Sequence, residues 1–228
     1  MLGWIYCKKI INDKTFEKIF DDLIGVIIIG IILGGRLGYV MLYNPIYYFN
    51  NPIEIFMFWN GGMSFHGGLL GVIIATMIFG KKNSQNPLKF LDLISIAAPI
   101  GIFFGRIANF INSELYGRVT DVPWSVIFIK VDQLSRHPSQ LYEAFFEGIL
   151  LFLILNYFLR KNFLLNPGVI SSLFLIFYSI FRFFVEFFRQ PDEHIGFILL
   201  SLSIGQLISI IFCVIGLFLF LKTKNVVK

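Results

Sequence analysis

The stretch LIGVIIIGIILGGRLGYVML, residues 23–42, decides the fold class because it carries a single charged residue, Arg36, in a long apolar run. A helix needs about 20 mostly apolar residues to cross a bilayer, and backbone polar groups in lipid must be paired within the segment. The stretch therefore predicts a membrane-spanning helix. The whole chain fits this interpretation, since 57% of its 228 residues are hydrophobic, 14% are charged and its mean hydropathy is +0.77.

Further apolar segments predict an all-α polytopic membrane protein with six transmembrane helices, at residues 22–43, 64–80, 88–110, 140–159, 168–188 and 197–221. The longest polar stretch, residues 111–139, joins the third and fourth spans and is expected to form a small head on the outer face. The segment NPIEIFMFWNGG, residues 51–62, is too short to span and is predicted to be an interfacial helix or a re-entrant piece. No internal repeat is visible, so residues 1–228 are expected to form one domain.

The basic residues predict the orientation, because cytoplasmic loops of membrane proteins are enriched in Lys and Arg. Twelve of the nineteen Lys and Arg residues fall on one side of the predicted spans, and eleven of these are Lys. With six spans, both termini are then expected in the cytoplasm. Arg predominates among the cations on the other side: Arg36, Arg106, Arg118, Arg136, Arg182 and Arg189. Arg binds phosphate or carboxylate through two parallel hydrogen bonds, although a single outer Arg can also extend to lipid headgroups.

The motif GRIANFINSELYG, residues 105–117, concentrates polar groups at the end of the third span. Arg106, Asn109 and Ser113 fall on one face of a helix that continues to the bilayer surface. Glu114 follows and could hold the Arg106 side chain or accept a proton. The alternative interpretation is an Asn-rich helix cap, which would not call for an arginine.

The motif YSIFRFFVEFFRQPD, residues 178–192, repeats the pattern in the fifth span. Tyr178, Arg182, Glu186 and Arg189 share one helical face. Arg182 and Glu186 could form only an intrahelical ion pair, but such a pair contributes a few tenths of a kcal/mol in water and would not offset the burial of both charges. We therefore interpret this face as functional.

Two histidine motifs lie near the outer ends of spans. GGMSFHGGLLG, residues 61–71, places His66 among glycines, which allow a ligand or a neighbouring backbone to approach. His66 is a candidate proton acceptor, with a packing role as the alternative. RHPSQLYEAFFEG, residues 136–148, brings His137, Tyr142, Glu143 and Glu147 to the start of the fourth span, where Ser139 is expected to cap the helix; capping and packing are equally good explanations of this motif.

Several kinds of site are missing from the sequence. No metal-binding pattern and no Gly-rich phosphate loop are visible, so neither a metal nor another cofactor is expected, and no nucleic-acid partner is expected. Cys7 and Cys213 are far apart in the chain and lie in no recognisable motif. The polar residues suit an anion with a lipid tail that is handled at the outer leaflet.

The motif GRIANFINSELYGRVTDVPW, starting at residue 105, resembles the signature of the bacterial prolipoprotein diacylglyceryl transferases. GGRLGYV, NPIEIFMFWNGGMSFHGGLLG, RHPSQLYEAFFEG and RFFVEFFRQPD match that family in the same order, over roughly residues 21–221. The resemblance implies a transferase of the bacterial inner membrane, at the first step of lipoprotein maturation. It would move the diacylglyceryl group of phosphatidylglycerol to the thiol of the lipobox cysteine in a prolipoprotein signal peptide, and glycerol 1-phosphate would leave.

The resemblance also implies roles for individual residues. Arg106 and Arg182 would hold the phosphate as its negative charge grows, and His66 is the candidate base for the thiol. Phosphatidylglycerol would further be bound or oriented by Arg36, Asn109, Glu114, Tyr178 and Glu186, with His137, Tyr142 and Glu143 in secondary roles. Members of the family usually have seven spans, and the opening MLGWIYCKKIINDK resembles only the inner end of their first helix, so that helix is expected to be truncated or missing.

Two other classes of protein compete with the enzyme. A transporter for an anion or a lipid would also use buried arginines and glycines, but near the bilayer midplane and often within inverted repeats. A non-catalytic lipid-binding scaffold would have no need of His66.

Overall fold

The computed structural model describes residues 1–43, 45–161, 166–190, 197–199 and 202–225. Helices dominate this part of the chain: α1 (Leu2–Ile10), α2 (Lys14–Tyr43), α3 (Pro45–Asn50), α4 (Phe65–Lys82), α5 (Pro87–Asn112), α6 (Ser139–Glu143), α7 (Leu151–Arg160), α8 (Val169–Val185) and α9 (Ile204–Asn225). A π-helical segment, Ala144–Leu150, joins α6 to α7. Two short antiparallel ribbons pair β1 (Val126–Ile127) with β2 (Ser135–Arg136), and β3 (Phe197–Leu199) with β4 (Leu202–Ser203).

Four of the described helices are long and apolar enough to cross a membrane: Lys14–Met41, Pro87–Asn112, Ser139–Arg160 and Gly205–Thr223. The shorter apolar helix α8 spans Val169–Val185. Large apolar side chains are exposed on these helices, for example Ile29 on α2 and Phe218 on α9, as expected for surfaces that face lipid. The all-α polytopic membrane class predicted from the sequence is therefore confirmed, and the chain is a multi-pass membrane protein. The count of six spans and the outer head stay predictions.

The last helix begins later than the sequence predicted. The sixth span was expected to start at residue 197, but β3 and β4 occupy the beginning of that segment and α9 starts at Ile204. Ser203 precedes the helix and accepts a hydrogen bond from the Gln206 backbone N–H through its Oγ. An N-cap of this kind ends the extended segment and starts the helix.

Two compact units are distinguished, residues 8–91 and residues 1–7 with 92–228. The prediction that residues 1–228 form one domain stays a prediction. In the unit of residues 8–91, α2 packs along α4 with almost no side chain between the two backbones. A Cβ atom on Gly34 would overlap the Gly67 carbonyl oxygen and would lie 2.8 Å from the Cα atom of Gly71. Small residues at such positions let membrane helices approach closely.

The segment between α3 and α4, predicted from the sequence to be too short to span a membrane, contains only short helical turns. It forms two 3₁₀ turns, Pro52–Phe56 and Phe58–Asn60. Ser64 then caps α4 by accepting a hydrogen bond from the Gly67 N–H, and its own N–H donates to Gly35 O on α2 at 2.9 Å. The start of α4 is therefore tied to α2 by backbone contacts.

In the unit of residues 1–7 and 92–228, α8 packs against α9. The buried carboxylate of Asp92 binds the start of α8. Asp92 on α5 accepts hydrogen bonds from the backbone N–H groups of Gly168 and Ser171, both at 2.7 Å. These donors belong to the first turn of α8, where backbone N–H groups have no partner within the helix. Asp92 therefore fixes the position of α8 relative to α5, the two helices that carry the arginines predicted to be functional.

Candidate active site

A buried group of two arginines and three glutamates connects α5, the helix over residues 139–160 and α8. Its members are Arg106, Glu143, Glu147, Arg182 and Glu186, and we call it the ion-pair cluster. Glu143 is fully buried, and its two carboxylate oxygens face different arginines. The Nε atom of Arg106 lies 2.7 Å from Glu143 Oε2, and Arg182 Nη1 donates to Glu143 Oε1 at 2.7 Å. One carboxylate is therefore held by two guanidinium groups from different helices.

Glu147 is the least satisfied member of the ion-pair cluster. Its oxygens lie 3.7 Å from Arg106 Nη2 and 3.7 Å from Arg182 Nη1, and neither accepts a hydrogen bond within the described part of the chain. The side chain is fully buried in the π-helical segment. Single π turns of this kind are frequent at functional sites.

Glu186 completes the ion-pair cluster at the end of α8. Its Oε2 atom lies 2.7 Å from Arg182 Nη2, so the predicted pair one helical turn apart is present. Its Oε1 atom accepts a hydrogen bond from Ser203 Oγ at 3.0 Å. Arg182 thus contacts a glutamate on each side, with Glu143 on a neighbouring helix and Glu186 on its own.

The ion-pair cluster is a candidate functional site as well as a set of contacts between helices. Buried ion pairs often contribute no net stability, because desolvation of the charges offsets their attraction. Charged side chains inside a membrane protein usually mark a substrate or ion pathway. The side chain of Arg106 remains 18% exposed, against 11% for Arg182, so Arg106 is the more accessible arginine of the cluster.

Asn109 and Glu114 form a separate pair at the end of α5. The helix ends at Asn112, and Ser113 has a φ of 63°, so Ser113 does not extend the helical face of Arg106 as the sequence suggested. The chain turns back instead, and Asn109 Nδ2 donates to Glu114 Oε2 at 3.0 Å. The carboxylates beside Arg106 therefore come from the helix over 139–160 rather than from Glu114.

Tyr178 lies two turns before Glu186 on α8. Its ring stacks on that of Phe174, with centroids 5.6 Å apart and an interplanar angle of 8°. Its hydroxyl is close enough to Glu147 and Arg182 for their charges to interact with it. The structure therefore brings Tyr178 next to the ion-pair cluster.

His137, near the end of the segment of residues 111–139, and Tyr142, just after it, belong to one aromatic group. His137 Nδ1 lies 3.3 Å from the Tyr142 hydroxyl, which accepts a hydrogen bond from Trp124 Nε1 at 2.7 Å. The rings of His137 and Phe188 are 5.2 Å apart. Burial lowers the pKa of His137, which keeps its imidazole neutral over a wider pH range.

Ser139 was predicted to cap the next helix, but its hydroxyl donates to Leu115 O instead, because the helix already includes Ser139.

Arg36 lies on α2, and its hydrogen bonds go to backbone carbonyls. Its guanidinium donates to four carbonyl oxygens, those of Glu54, Ile55, Gly61 and Gly62, at distances from 2.5 to 3.2 Å. It also lies over the ring of Tyr48, 5.1 Å from the centroid. Arg36 therefore fixes the segment between α3 and α4.

The backbone of His66 lies in the first turn of α4, but its side chain falls outside the described part of the structure.

Sequence reasoning missed the residues that hold Glu186. Ser203, Gly205 and Gln206 lie at the start of α9, and none of them was proposed as functional. The signal was present, because Ser203 and Gln206 have the S-x-x-Q spacing of a capping box.

Among the described residues, no group of three or more His, Cys, Asp or Glu side chains is arranged to hold a metal ion. The three glutamates of the ion-pair cluster instead face arginines.

Comparison with known proteins agrees with the motifs. The family model described as "Prolipoprotein diacylglyceryl transferase" matches residues 1–222. A protein of Rickettsia bellii (strain OSU 85-389) named phosphatidylglycerol--prolipoprotein diacylglyceryl transferase is 53% identical over 228 residues, which cover 98% of this chain and 87% of the relative. Proteins of the same name from Rickettsia felis and Rickettsia typhi are 52% and 51% identical, and this chain covers 88% of each. The chain therefore belongs to the prolipoprotein diacylglyceryl transferase family.

Proposed function

We propose that this chain transfers the diacylglyceryl group of phosphatidylglycerol to the lipobox cysteine of prolipoprotein signal peptides. The observation that supports this most directly is the pair of arginines on Glu143, because two guanidiniums 2.7 Å from one carboxylate are spaced to hold one tetrahedral phosphate. Family membership supplies the substrate class, and the geometry supplies a place for its anion.

The reaction exchanges one bond for another at the sn-3 carbon of the lipid glycerol. The substrate thiol gives its proton to a base, for which His66 is our candidate, and the sulfur forms a bond to that carbon. The carbon–oxygen bond to phosphate breaks, the oxygen keeps the electron pair, and glycerol 1-phosphate leaves. Negative charge therefore grows on the phosphate during the step, and fixed arginines stabilise it.

The ion-pair cluster suits this role because its arginines are already oriented. Arg106 is the more exposed arginine, so it is our candidate for the first contact with the lipid phosphate. Arg182 is held between Glu143 and Glu186 and is our candidate for the charge that develops later. Asn109, Glu114 and Tyr178 would orient the headgroup. His137 and Tyr142 keep secondary roles.

The position of Arg36 supports an indirect contribution to lipid binding. Its hydrogen bonds to backbone carbonyls arrange the segment from Glu54 to Gly62, next to the start of the helix that carries His66. We place the site toward the outer leaflet of the bacterial inner membrane and the C-terminus in the cytoplasm, on the basis of the Lys and Arg distribution.

The direct test is transfer by the purified full chain in nanodiscs that contain radiolabelled phosphatidylglycerol, with a peptide that carries a lipobox cysteine. The expected result is label on the peptide and release of glycerol 1-phosphate. Lipid binding without either product would favour the scaffold, and movement of lipid or anion across vesicles without transfer would favour the transporter.

The attacking thiol is expected to belong to the substrate, so the cysteines of this chain should be dispensable. Cys7 is buried and donates to Leu93 O at 3.1 Å, which is a packing role. The double variant Cys7→Ser/Cys213→Ser should insert normally and transfer lipid within about twofold of the unmodified chain. Loss of transfer from this correctly inserted variant would overturn the proposed mechanism.

A further inference from the structure

The start of α9 lies against the carboxylate that orients Arg182. Ser203 Oγ donates to Glu186 Oε1 at 3.0 Å, and the other oxygen of Glu186 lies 2.7 Å from Arg182 Nη2. Both Ser203 and Glu186 are buried, with exposures of 4% and 7%. A chain of contacts therefore runs from the first residues of α9 through Glu186 to the guanidinium of Arg182.

The Ser203 hydroxyl has little rotational freedom. Its Oγ atom accepts a hydrogen bond from the Gln206 backbone N–H at 3.2 Å, while Gln206 Oε1 accepts from the Ser203 backbone N–H at 3.0 Å. This reciprocal capping box leaves the hydroxyl proton for Glu186 alone. The capping box thus aims a donor at the carboxylate, in addition to starting the helix.

Gly205 provides the space for that carboxylate. A Cβ atom at this position would lie 2.7 Å from Glu186 Oε1 and 2.8 Å from its Cδ. Even the smallest side chain would displace Glu186 from the start of α9. The exposed N–H groups of a helix N-terminus also favour a carboxylate at this place.

We propose that Ser203 and Gly205 are positioning residues, which hold Glu186 so that Arg182 keeps the orientation needed for transfer. The proposal rests on the proposed function, because it assigns Arg182 a part in the reaction. Capping alone does not account for the arrangement. An ionised Asp would cap α9 as well as Ser does, but it has no proton to donate to Glu186, whereas the Ser203 hydroxyl donates to Glu186 Oε1.

The test separates capping from positioning with two substitutions at one site. Ser203→Asp keeps the cap but replaces the donor with a second carboxylate, whereas Ser203→Thr keeps both the cap and the donor. Ser209→Ala is the matched control, since the Ser209 hydroxyl donates to Gly205 O within the same helix, at 2.7 Å. The measurement is single-turnover transfer from radiolabelled phosphatidylglycerol in nanodiscs, together with lipid affinity and thermal stability.

The expected result is a rate loss of about tenfold to 100-fold for Ser203→Asp, as for a lost hydrogen bond to a charged group. Ser203→Thr and Ser209→Ala should stay within about threefold of the unmodified chain. Lipid affinity of Ser203→Asp should fall less than its rate, because the contact matters most as charge grows on the phosphate.

A double-mutant cycle keeps the proposal falsifiable if Ser203→Asp folds poorly. Gly205→Ala should slow transfer at least about tenfold in the unmodified chain, but should have no further effect in Glu186→Ala, since the two residues act in one chain of contacts. Additive effects of these two substitutions would overturn the proposal, as would equal rates for Ser203→Asp and Ser203→Thr. Absence of transfer by the unmodified chain would instead overturn the proposed function.

Discussion

Arg36 is buried and the Arg182 side chain is only 11% exposed, and both lie on apolar helices, yet they bind different kinds of partner. Arg36 donates to four backbone carbonyls of one segment. Arg182 contacts carboxylates, with Glu143 and Glu186 each at 2.7 Å. Carbonyl oxygens are fixed by the course of the backbone, whereas a carboxylate on a side chain can be exchanged for another anion. From this comparison we expect a structural role for Arg36 and a substrate-facing role for Arg182.

The largest effect is expected at Arg182, where the shape of the side chain matters as well as its charge. Arg182→Lys keeps the charge, but one ammonium cannot reach both Glu143 and Glu186 as the planar guanidinium does. Loss of about 3 kcal/mol of charge-assisted contacts should slow single-turnover transfer about 150-fold. Near-normal turnover of a well-expressed Arg182→Lys protein would contradict a substrate-facing role for Arg182, and with it the contrast drawn with Arg36.

Arg106 should show its effect in lipid binding. Removal of a charge-assisted contact in Arg106→Ala should weaken phosphatidylglycerol binding about 10- to 150-fold, and turnover should fall further if the charge grows in the transition state. Asn109→Ala is the matched control, because it loses a neutral donor that contacts Glu114, and its affinity should fall less than about tenfold. Unchanged affinity and rate in a folded Arg106→Ala protein would contradict phosphate binding by Arg106 and would favour the alternative interpretation of residues 105–117 as a helix cap.

Arg36 should respond in the opposite way, with a change in stability rather than in phosphate recognition. Arg36→Ala leaves four carbonyl oxygens without their donor, and the unfolding free energy should fall by about 2 kcal/mol. Thermal unfolding and limited proteolysis between residues 52 and 62 measure this loss. If Arg36→Ala kept its stability and lost lipid affinity as Arg106→Ala does, the comparison would be wrong.

The smallest effect is expected at the ion pair between Arg136, the last residue of β2, and Asp132. Arg136 Nη2 lies 2.5 Å from Asp132 Oδ2, and this hydrogen bond lowers the pKa of the Asp132 carboxyl. The stability from this pair is therefore complete above the ordinary Asp pKa of about 3.9 and is lost as the pH falls through the lower folded value. Between pH 5 and 7, the unfolding temperature of Asp132→Asn should change with pH as that of the unmodified chain does, to within on the order of one degree. Below about pH 4, only the unmodified chain should lose this contribution.

The sequence predicted the membrane helices because their signal is local. An apolar run such as residues 23–42 indicates a span whatever it packs against. The predicted neighbours of Arg106 were also local, and there the prediction was incomplete. Glu114 is closer in sequence, but the chain reverses after Asn112 and the carboxylates beside Arg106 come from Glu143 and Glu147. Contacts between helices distant in sequence leave no periodic signal in a single chain.

The start of α9 illustrates a different limit. Apolar residues from 197 onward favoured a span that began there, since hydropathy alone does not distinguish an apolar β-ribbon from a helix. The spacing of Ser203 and Gln206 marks the true start, and reading it as a capping box would have placed the helix correctly. It would not have revealed Glu186 as a partner, because that contact depends on how α8 and α9 pack.

The π-helical segment changes the helical register within the helix over residues 139–160. An α-helix advances about 100° per residue. The number of residues in Ala144–Leu150 therefore determines in which direction the side chains after the segment point, relative to those before it. Glu143 before the segment faces the arginines, while Asn156 after it bonds to Tyr6 of α1. Deletion of one residue in between would rotate one end against the other by about 100°. The length of this short segment is thus as strongly constrained as the identity of its residues.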